Sequence, residues 1–215
     1  MNELIFQEKI NTALHALGVF LSGIGVIFLI YFALSTGNNL NIISAIVYGI
    51  SLVILYSAST LLHLKLSKEI YNKIYNIIDH CAIYFLIAGS YTPYTLITLK
   101  GNSVGTSILI AVWVMAVFGV IYQFLFIGKY KVFSTFTYLL MGWLIVLVIK
   151  DIFNNIPING LILLGLGGLM YSIGSLFFVF DKKYRYNHAV WHVFVLFGSF
   201  FHYLSVLLYV IPVKN

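Results

Sequence analysis

Apolar residues run almost without interruption along this chain, and short polar clusters divide the runs. A helix needs about 20 apolar residues to cross the hydrocarbon core of a bilayer. The polar breaks leave seven runs of about that length: 15–35, 42–64, 79–99, 104–127, 132–149, 158–180 and 189–211. We predict one transmembrane helix over each run.

The breaks between the runs have the chemistry of turns. Gly, Asn and Pro, which favour turns, gather at 36–41, 100–102 and 151–157. The break at 128–131 is so short that the helices beside it should form an antiparallel hairpin. The runs are too long, and alternate too little, to be membrane-spanning strands. Residues 1–215 are therefore expected to form a single domain of the all-α membrane class, a seven-transmembrane-helix bundle.

The composition excludes an ordinary soluble domain. Of the 215 residues, 61% are hydrophobic and only 8% are charged, whereas a typical soluble domain has about 25% charged residues. The formal net charge is +6, but the basic residues are scattered over short loops, which fits membrane orientation better than nucleic-acid binding. Glu3, Glu8 and Lys9 make a poor basic region for a signal peptide, so the first run is interpreted as a retained helix.

The lysines and arginines also orient the predicted bundle. One side of the membrane would carry the N-terminus and the breaks after spans two, four and six, with nine basic residues: Lys9, Lys65, Lys68, Lys73, Lys129, Lys131, Lys182, Lys183 and Arg185. The other side would carry three: Lys100, Lys150 and Lys214. Loops rich in lysine and arginine face the cytoplasm. The pattern predicts a cytoplasmic N-terminus and an external C-terminus.

Four residues with metal or acid–base chemistry fall at the cytoplasmic ends of different spans. His63 ends span two and Asp79 begins span three, while His188 and His192 begin span seven. Because His188 and His192 are four residues apart, they share a helix face and can chelate one ion. His63 would supply a third nitrogen, and three protein ligands with one open position are typical of catalytic zinc. Asp79 is suited to act as general base toward a zinc-bound water.

Each of these residues also has an ordinary structural interpretation. A histidine near the membrane interface is often only an interfacial polar residue, and Asp79 is suited to be the N-cap of its helix. Ser59, one turn deeper than His63, could donate to a carbonyl of its own helix. The common depth of the residues favours a metal site, because unrelated polar residues would scatter over both faces of the membrane.

Further polar residues lie near this group or deeper in the membrane. Glu8, Asn11 and His15 form one stripe where span one begins, and they either contact substrate or lie among the lipid headgroups. His202 lies ten residues beyond His192, about 15 Å deeper, which is too far to bind the same ion. It is expected to contact substrate or to pair with a hydroxyl group of another helix.

The ordered motifs resemble those of a known family. They are Glu8-x-x-Asn11-x-x-x-His15, Ser59-x-x-x-His63, Asp79-His80 and His188-x-x-x-His192. In this order on seven spans they resemble the hemolysin III family, the bacterial branch of the progestin and adipoQ receptor group, which also contains the adiponectin receptors. The resemblance covers essentially the whole chain.

The resemblance implies a seven-helix protein of a bacterial plasma membrane, with a zinc ion near the inner leaflet. It implies that His63, His188 and His192 are the zinc ligands, and that Asp79 and Ser59 support the zinc-bound water. Animal members of the group are associated with ceramide hydrolysis. Bacterial members carry a haemolysin label and are linked to membrane-lipid homeostasis.

The leading hypothesis is a zinc-dependent membrane hydrolase of a lipid amide or ester, whose substrate enters laterally from the bilayer. The alternative is a non-catalytic lipid sensor or haemolytic agent with a structural zinc. Structural zinc usually has four protein ligands, and the three histidines found here favour an open, catalytic position. A channel or transporter fits less well, because the spans hold few polar residues away from the cytoplasmic side and show no paired broken helices.

Overall fold

The computed structural model describes residues 2–64, 69–126, 129–181 and 183–212, and no strand is present in these ranges. The helices are α1 (Asn2–Ser35), α2 (Asn39–His63), α3 (Glu69–Pro93), α4 (Ser103–Phe126), α5 (Lys131–Trp143), α6 (Ile149–Asn155), α7 (Ile158–Val179) and α8 (Asn187–Ser205). The all-α class predicted from the sequence is confirmed. Six residues used in the sequence predictions lie outside the described ranges: Lys65, Lys68, Ile127, Gly128, Lys182 and Lys214.

Three helices change their winding without ending. A π-helical segment, Tyr94–Thr98, continues α3, and a second one, Val206–Val210, continues α8. A 3₁₀ segment, Leu144–Val148, joins α5 to α6. The irregular winding after α3 begins at Pro93, which has no amide hydrogen to donate to the preceding turn.

Helix α6 lies where the sequence analysis placed a turn. The predicted break at 151–157 remains helical as far as Asn155, and the chain leaves the helix only at Ile156. Ile156 is extended, with φ −127° and ψ 149°, because a residue before proline is disfavoured in helical backbone. The predicted break therefore began too early, and Pro157 sets the actual end of the helix.

Within the described part of the chain, six helical stretches are long and apolar enough to cross a membrane. They are Ile5–Ser35, Asn39–His63, Ser103–Phe126, Lys131–Asn155, Ile158–Val179 and Asn187–Val210. The stretch Lys131–Asn155 combines α5, the 3₁₀ segment and α6. Helix α3 is as long as α2 but is less apolar, because it contains Asn76, Asp79 and His80.

Helix α2 lies at the centre of the bundle. Of its most apolar stretch 56% is buried, against 22–33% for the other five. It packs between α1 and α3, while α4 packs on α3, α7 packs on α8, and α8 returns to α1. The first and last helices are therefore neighbours, and residues of α1, α2 and α8 lie together at one end of the bundle.

Hydrogen bonds from tyrosine hydroxyl groups connect neighbouring helices and help to fix their relative positions. Lipid tails are as apolar as leucine, so polar contacts and close packing contribute much of the specificity between helices. The Tyr56 hydroxyl of α2 donates to the Ser199 Oγ of α8 at 2.7 Å. The Tyr91 hydroxyl of α3 donates to the Gly142 carbonyl of α5 at 2.7 Å. These bonds join α8 and α5 to the central pair α2 and α3.

A cavity of about 300 Å³ lies between α3, α5, α7 and α8. Most of its lining is apolar and includes Leu86, Leu139 and Leu161. The lining residues Gly142 of α5 and Gly165 of α7 are exposed. The cavity therefore opens sideways between α5 and α7, where lipid would surround the protein.

Neighbouring glycines of α7 offer a test of the close packing between α7 and α8. A β-carbon at Gly167 would overlap the His202 ring, whereas one at Gly168 would meet nothing within 4 Å. Overpacking typically costs about 1–3 kcal/mol, so we expect Gly167→Ala to lower the thermal midpoint of the detergent-purified protein by about 2–12 °C. Gly168→Ala should leave the midpoint nearly unchanged. Equal losses in the two variants would contradict the packing described here.

Candidate metal centre

Three histidines from two helices meet at one end of the bundle. His63 is the last residue of α2, and His188 and His192 lie one turn apart at the start of α8. Their ligand nitrogens all lie within 4.8 Å of one another. The Nε2 of His63 is 3.0 Å from the Nε2 of His192 and 3.4 Å from that of His188. This histidine group could therefore hold one metal ion.

Two carboxylates orient two of the rings. The Glu8 Oε2 lies 2.7 Å from the Nδ1 of His63, and the Asp181 Oδ2 lies 3.3 Å from the Nδ1 of His188. Because a carboxylate only accepts, the proton of each neutral ring lies on Nδ1, and its Nε2 lone pair faces the other histidines. A metal-binding histidine almost always donates the N–H of its other ring nitrogen to a carboxylate, a backbone carbonyl or a water.

This tautomer makes the histidine group suited to a cation. The Nε2 atoms of His63 and His188 both present lone pairs, 3.4 Å apart, and neither can donate to the other. A proton on the Nε2 of His192 would satisfy only one of these contacts. A cation among the three nitrogens would replace the repulsion of the lone pairs by coordination, so the chemistry of the donor set fits a metal.

Asp181 is held from two sides. It lies in the connection between α7 and α8 and contacts both His188 and Lys131, which begins α5. Partial burial alone would raise the pKa of Asp181, but the hydrogen bonds from His188 and Lys131 and the charge of Lys131 outweigh it and lower the pKa to about 2. The carboxylate is therefore ionised at neutral pH and accepts from the His188 ring.

Helix α1 covers the other side of the histidine group with buried polar residues. The ring of His15 lies against that of His192, with centroids 3.8 Å apart. Both ring nitrogens of His15, the Asn11 Oδ1 and the Nδ1 of His192 are buried with no hydrogen-bond partner among the described residues. Such atoms are rare in folded proteins and require an explanation, such as a bound ion, ligand or water.

The two residues expected to support the reacting water are both buried. Ser59 lies one turn before His63 on α2, and its Oγ has no hydrogen-bond partner in the described part of the chain. The alternative in which Ser59 donates to its own helix is therefore not observed. Asp79 lies in α3 and lines the cavity, and it is not a member of the histidine group.

Two further histidines lie outside the histidine group. The Nε2 of His202 donates to the Leu164 carbonyl of α7 at 3.1 Å. Its partner is thus a backbone carbonyl and not the hydroxyl considered from the sequence, although the ring does line the cavity. The Nδ1 of His80 donates to the Asn76 carbonyl of its own helix at 2.9 Å.

The cavity reaches the histidine group through the side chains that flank it. His15, Asp79 and Trp191 line the cavity. The Trp191 ring lies 4.8 Å from the His192 ring, centroid to centroid. The three histidines themselves lie one layer behind this lining. A molecule in the cavity would therefore meet His15 and Trp191 beside the histidines, the carboxyl group of Asp79 in the wall, and mainly apolar side chains elsewhere.

The contacts of the two carboxylates with the histidines do not follow from the sequence pattern. From the sequence, Glu8 is expected to contact substrate or to lie among the lipid headgroups, and the structure shows that its carboxylate contacts His63. Asp181 was not singled out at all. Its signal was an acidic residue seven positions before His188 in the connection that leads into α8. Only the folded connection shows that the carboxylate turns back to the histidine.

Comparison with known proteins gives a match over nearly the whole chain. Residues 4–203 match the family model described as haemolysin-III related. Hemolysin-3 of Bacillus cereus is 41% identical over 215 residues, which cover 100% of this chain and 97% of that protein. The Hemolysin-3 homolog of Bacillus subtilis is 42% identical over 97% of each. The monocyte to macrophage differentiation factor of Homo sapiens is 35% identical over 171 residues, 78% of this chain and 70% of that protein.

The histidine group predicts the metal content of the protein. We expect detergent-purified protein to contain about one divalent metal ion per chain, measured by inductively coupled plasma mass spectrometry. A His188→Ala, His192→Ala double variant should lose the metal, because two of the three converging nitrogens are removed. His80→Ala should retain it, since the His80 Nδ1 bonds within its own helix. Unchanged metal content in the double variant would refute the site.

Proposed function

The chain belongs to the haemolysin-III-related family of multi-pass bacterial membrane proteins, and from this membership we propose that it is a zinc-dependent hydrolase of a lipid amide or ester. The observation that carries the proposal is the histidine group with its two orienting carboxylates. Imidazole nitrogens suit zinc. Three protein nitrogens leave one ligand position open, as in catalytic zinc sites.

The residues of this chain divide the chemistry among them. Zinc, when bound, supplies a Lewis acid that lowers the pKa of a water molecule and polarises a carbonyl group. His63, His188 and His192 would hold the ion through their Nε2 atoms. Glu8 and Asp181 keep two of these rings in the tautomer and orientation that can bind a metal.

Asp79 is the proposed general base. It lies in the cavity wall but outside the histidine group, so its carboxylate is available to take a proton from the attacking water and to return it to the leaving group. The Ser59 hydroxyl, buried one turn from His63, is the proposed donor that orients the water. These two residues would thus act beside the ligands and not as ligands.

The cavity supports a lipid as the substrate. Its apolar walls fit an acyl chain, and its opening between α5 and α7 faces the surrounding lipid. The substrate would enter from the bilayer and place its amide or ester group next to Asp79. Asn11 and His15, whose buried polar atoms lack partners among the described residues, and His202 in the cavity wall are the proposed contacts for polar groups of the lipid.

We propose further that α3 is a seventh span and that the N-terminus is cytoplasmic. The described basic residues at the same end of the bundle as the histidine group are Lys9, Lys73, Lys129, Lys131, Lys183 and Arg185. Lys100 and Lys150 lie at the other end. Because basic ends face the cytoplasm, the histidine group would lie near the inner leaflet and the C-terminus outside.

Lipid turnover tests the hydrolase. Wild-type protein in nanodiscs should release labelled fatty acid from an N-acyl or O-acyl lipid, measured by chromatography. Asp79→Asn should lower the rate about 10²–10⁴-fold, because general base catalysis contributes that much, and should keep its zinc. The matched control is Asp151→Asn, the same chemical change at the opposite end of the bundle, where Asp151 contacts Asn102.

Two outcomes would contradict the proposal. A wild-type protein that binds zinc but releases no fatty acid from any lipid tested would fit the non-catalytic sensor or haemolytic role instead. Loss of zinc in Asp79→Asn would make Asp79 a fourth protein ligand, which is typical of a structural site.

A further inference from the structure

A lysine of α5 reaches the metal centre through one intermediate residue. The Asp181 Oδ2 contacts both the Nζ of Lys131 and the Nδ1 of His188. His188 belongs to the histidine group, whereas Lys131 begins α5, whose later residues line the cavity. Asp181 therefore links α5 to α8.

The side chain of Lys131 is held in place by an aromatic ring as well. Its Nζ lies 3.8 Å from the ring centroid of Phe178, a cation–π contact. Phe178 is buried, and its ring lies 4.3 Å from that of Trp191. Both aromatic residues line the cavity. Through Lys131, the first turn of α5 thus contacts Phe178, which in turn contacts Trp191 beside His192.

We propose that Lys131 is a positioning residue of the metal centre, which acts through Asp181 on His188 and couples the seating of α5 to metal binding. The proposal rests on metal binding by the histidine group, which is part of the proposed function, and not on lipid hydrolysis. In this role, Lys131 touches neither the metal nor the substrate. It determines where the Asp181 carboxylate points.

Asp181 needs such a partner because of its place in the chain. It lies in a connection and not within a helix, so the helical backbone does not fix its side chain. Its Oδ1 has no hydrogen-bond partner among the described residues. Without the charge of Lys131, the carboxylate is free to turn from His188 toward solvent, and the His188 ring would lose both its tautomer and its orientation.

The coupling works in both directions. If Lys131 raises the affinity of the histidine group for a metal, the bound metal must strengthen the contact of Lys131 by the same factor. Helix α5 supplies Thr135, Tyr138 and Leu139 to the cavity wall. Binding of the metal would therefore stabilise this wall in its observed place, at a distance from the ion.

Zinc affinity tests the relay directly. The detergent-purified protein is titrated with zinc against a competing chelator. We expect Lys131→Gln and Asp181→Asn each to weaken zinc binding about 10–100-fold, the usual effect of losing an orienting partner. Lys131→Arg keeps the positive charge and should retain most of the wild-type affinity for zinc. The matched control, Lys129→Gln, changes an exposed lysine in the turn before α5 and should have no effect.

The double variant separates a relay from two independent effects. If Lys131 acts only through Asp181, then the Lys131→Gln, Asp181→Asn double variant binds zinc no more weakly than the weaker single variant. Additive losses would overturn the relay. Wild-type affinity in Lys131→Gln would overturn the role of the lysine altogether.

Hydrogen exchange provides a readout of α5 itself. Removing zinc from the wild-type protein should speed amide exchange in residues 132–140, while α4 serves as the internal control. In Lys131→Gln the exchange should already be fast and should not respond to zinc. Exchange in wild-type α5 that is indifferent to zinc would overturn the coupling.

These outcomes are distinct from those of the hydrolase test. A protein that binds zinc with the expected variant pattern but hydrolyses no lipid would overturn the proposed function and leave the relay intact. A protein that binds no zinc would overturn both.

Discussion

The convergence of three imidazole nitrogens from α2 and α8 is the constraint on which the rest of the structure depends. His63 and His188 are 125 positions apart in the chain, yet their Nε2 atoms lie 3.4 Å apart. Ionisable groups buried in or near a bilayer are costly and usually functional. Here two carboxylates, from α1 and from the α7–α8 connection, compensate that cost by accepting from the rings. The first, second and last helices are thus tied together by one polar centre.

The cavity is relevant to function because residues of its lining contact the histidine group. An apolar space between helices is ordinary in many bundles, but the lining of this one includes Asp79, His15 and Trp191, and the last two contact His192. A lipid chain in the cavity would therefore bring its polar end to the histidines without leaving an apolar environment. Helix α5, which supplies part of the cavity wall, is joined to His188 of the histidine group through Lys131 and Asp181.

Features that follow from the local pattern of apolar and polar residues could be predicted from the sequence. The apolar runs indicated the helices because a bilayer leaves few alternatives to a helix, and the common depth of His63 and His188 indicated their meeting. The break predicted at 151–157 began too early, since turn-forming residues also occur inside helices and the helix continues to Asn155 before Pro157. The contact of Asp181 with His188 was missed because the path of a connection depends on tertiary packing, which no local pattern encodes.

X-ray absorption at the zinc edge on the purified protein would test the central claim most directly. We expect three histidine nitrogens at about 2.0–2.1 Å from the zinc, with the scattering pattern of imidazole rings, and the loss of one ring in His63→Ala. A spectrum without imidazole scattering, or one that is unchanged in His63→Ala, would contradict the metal centre described here.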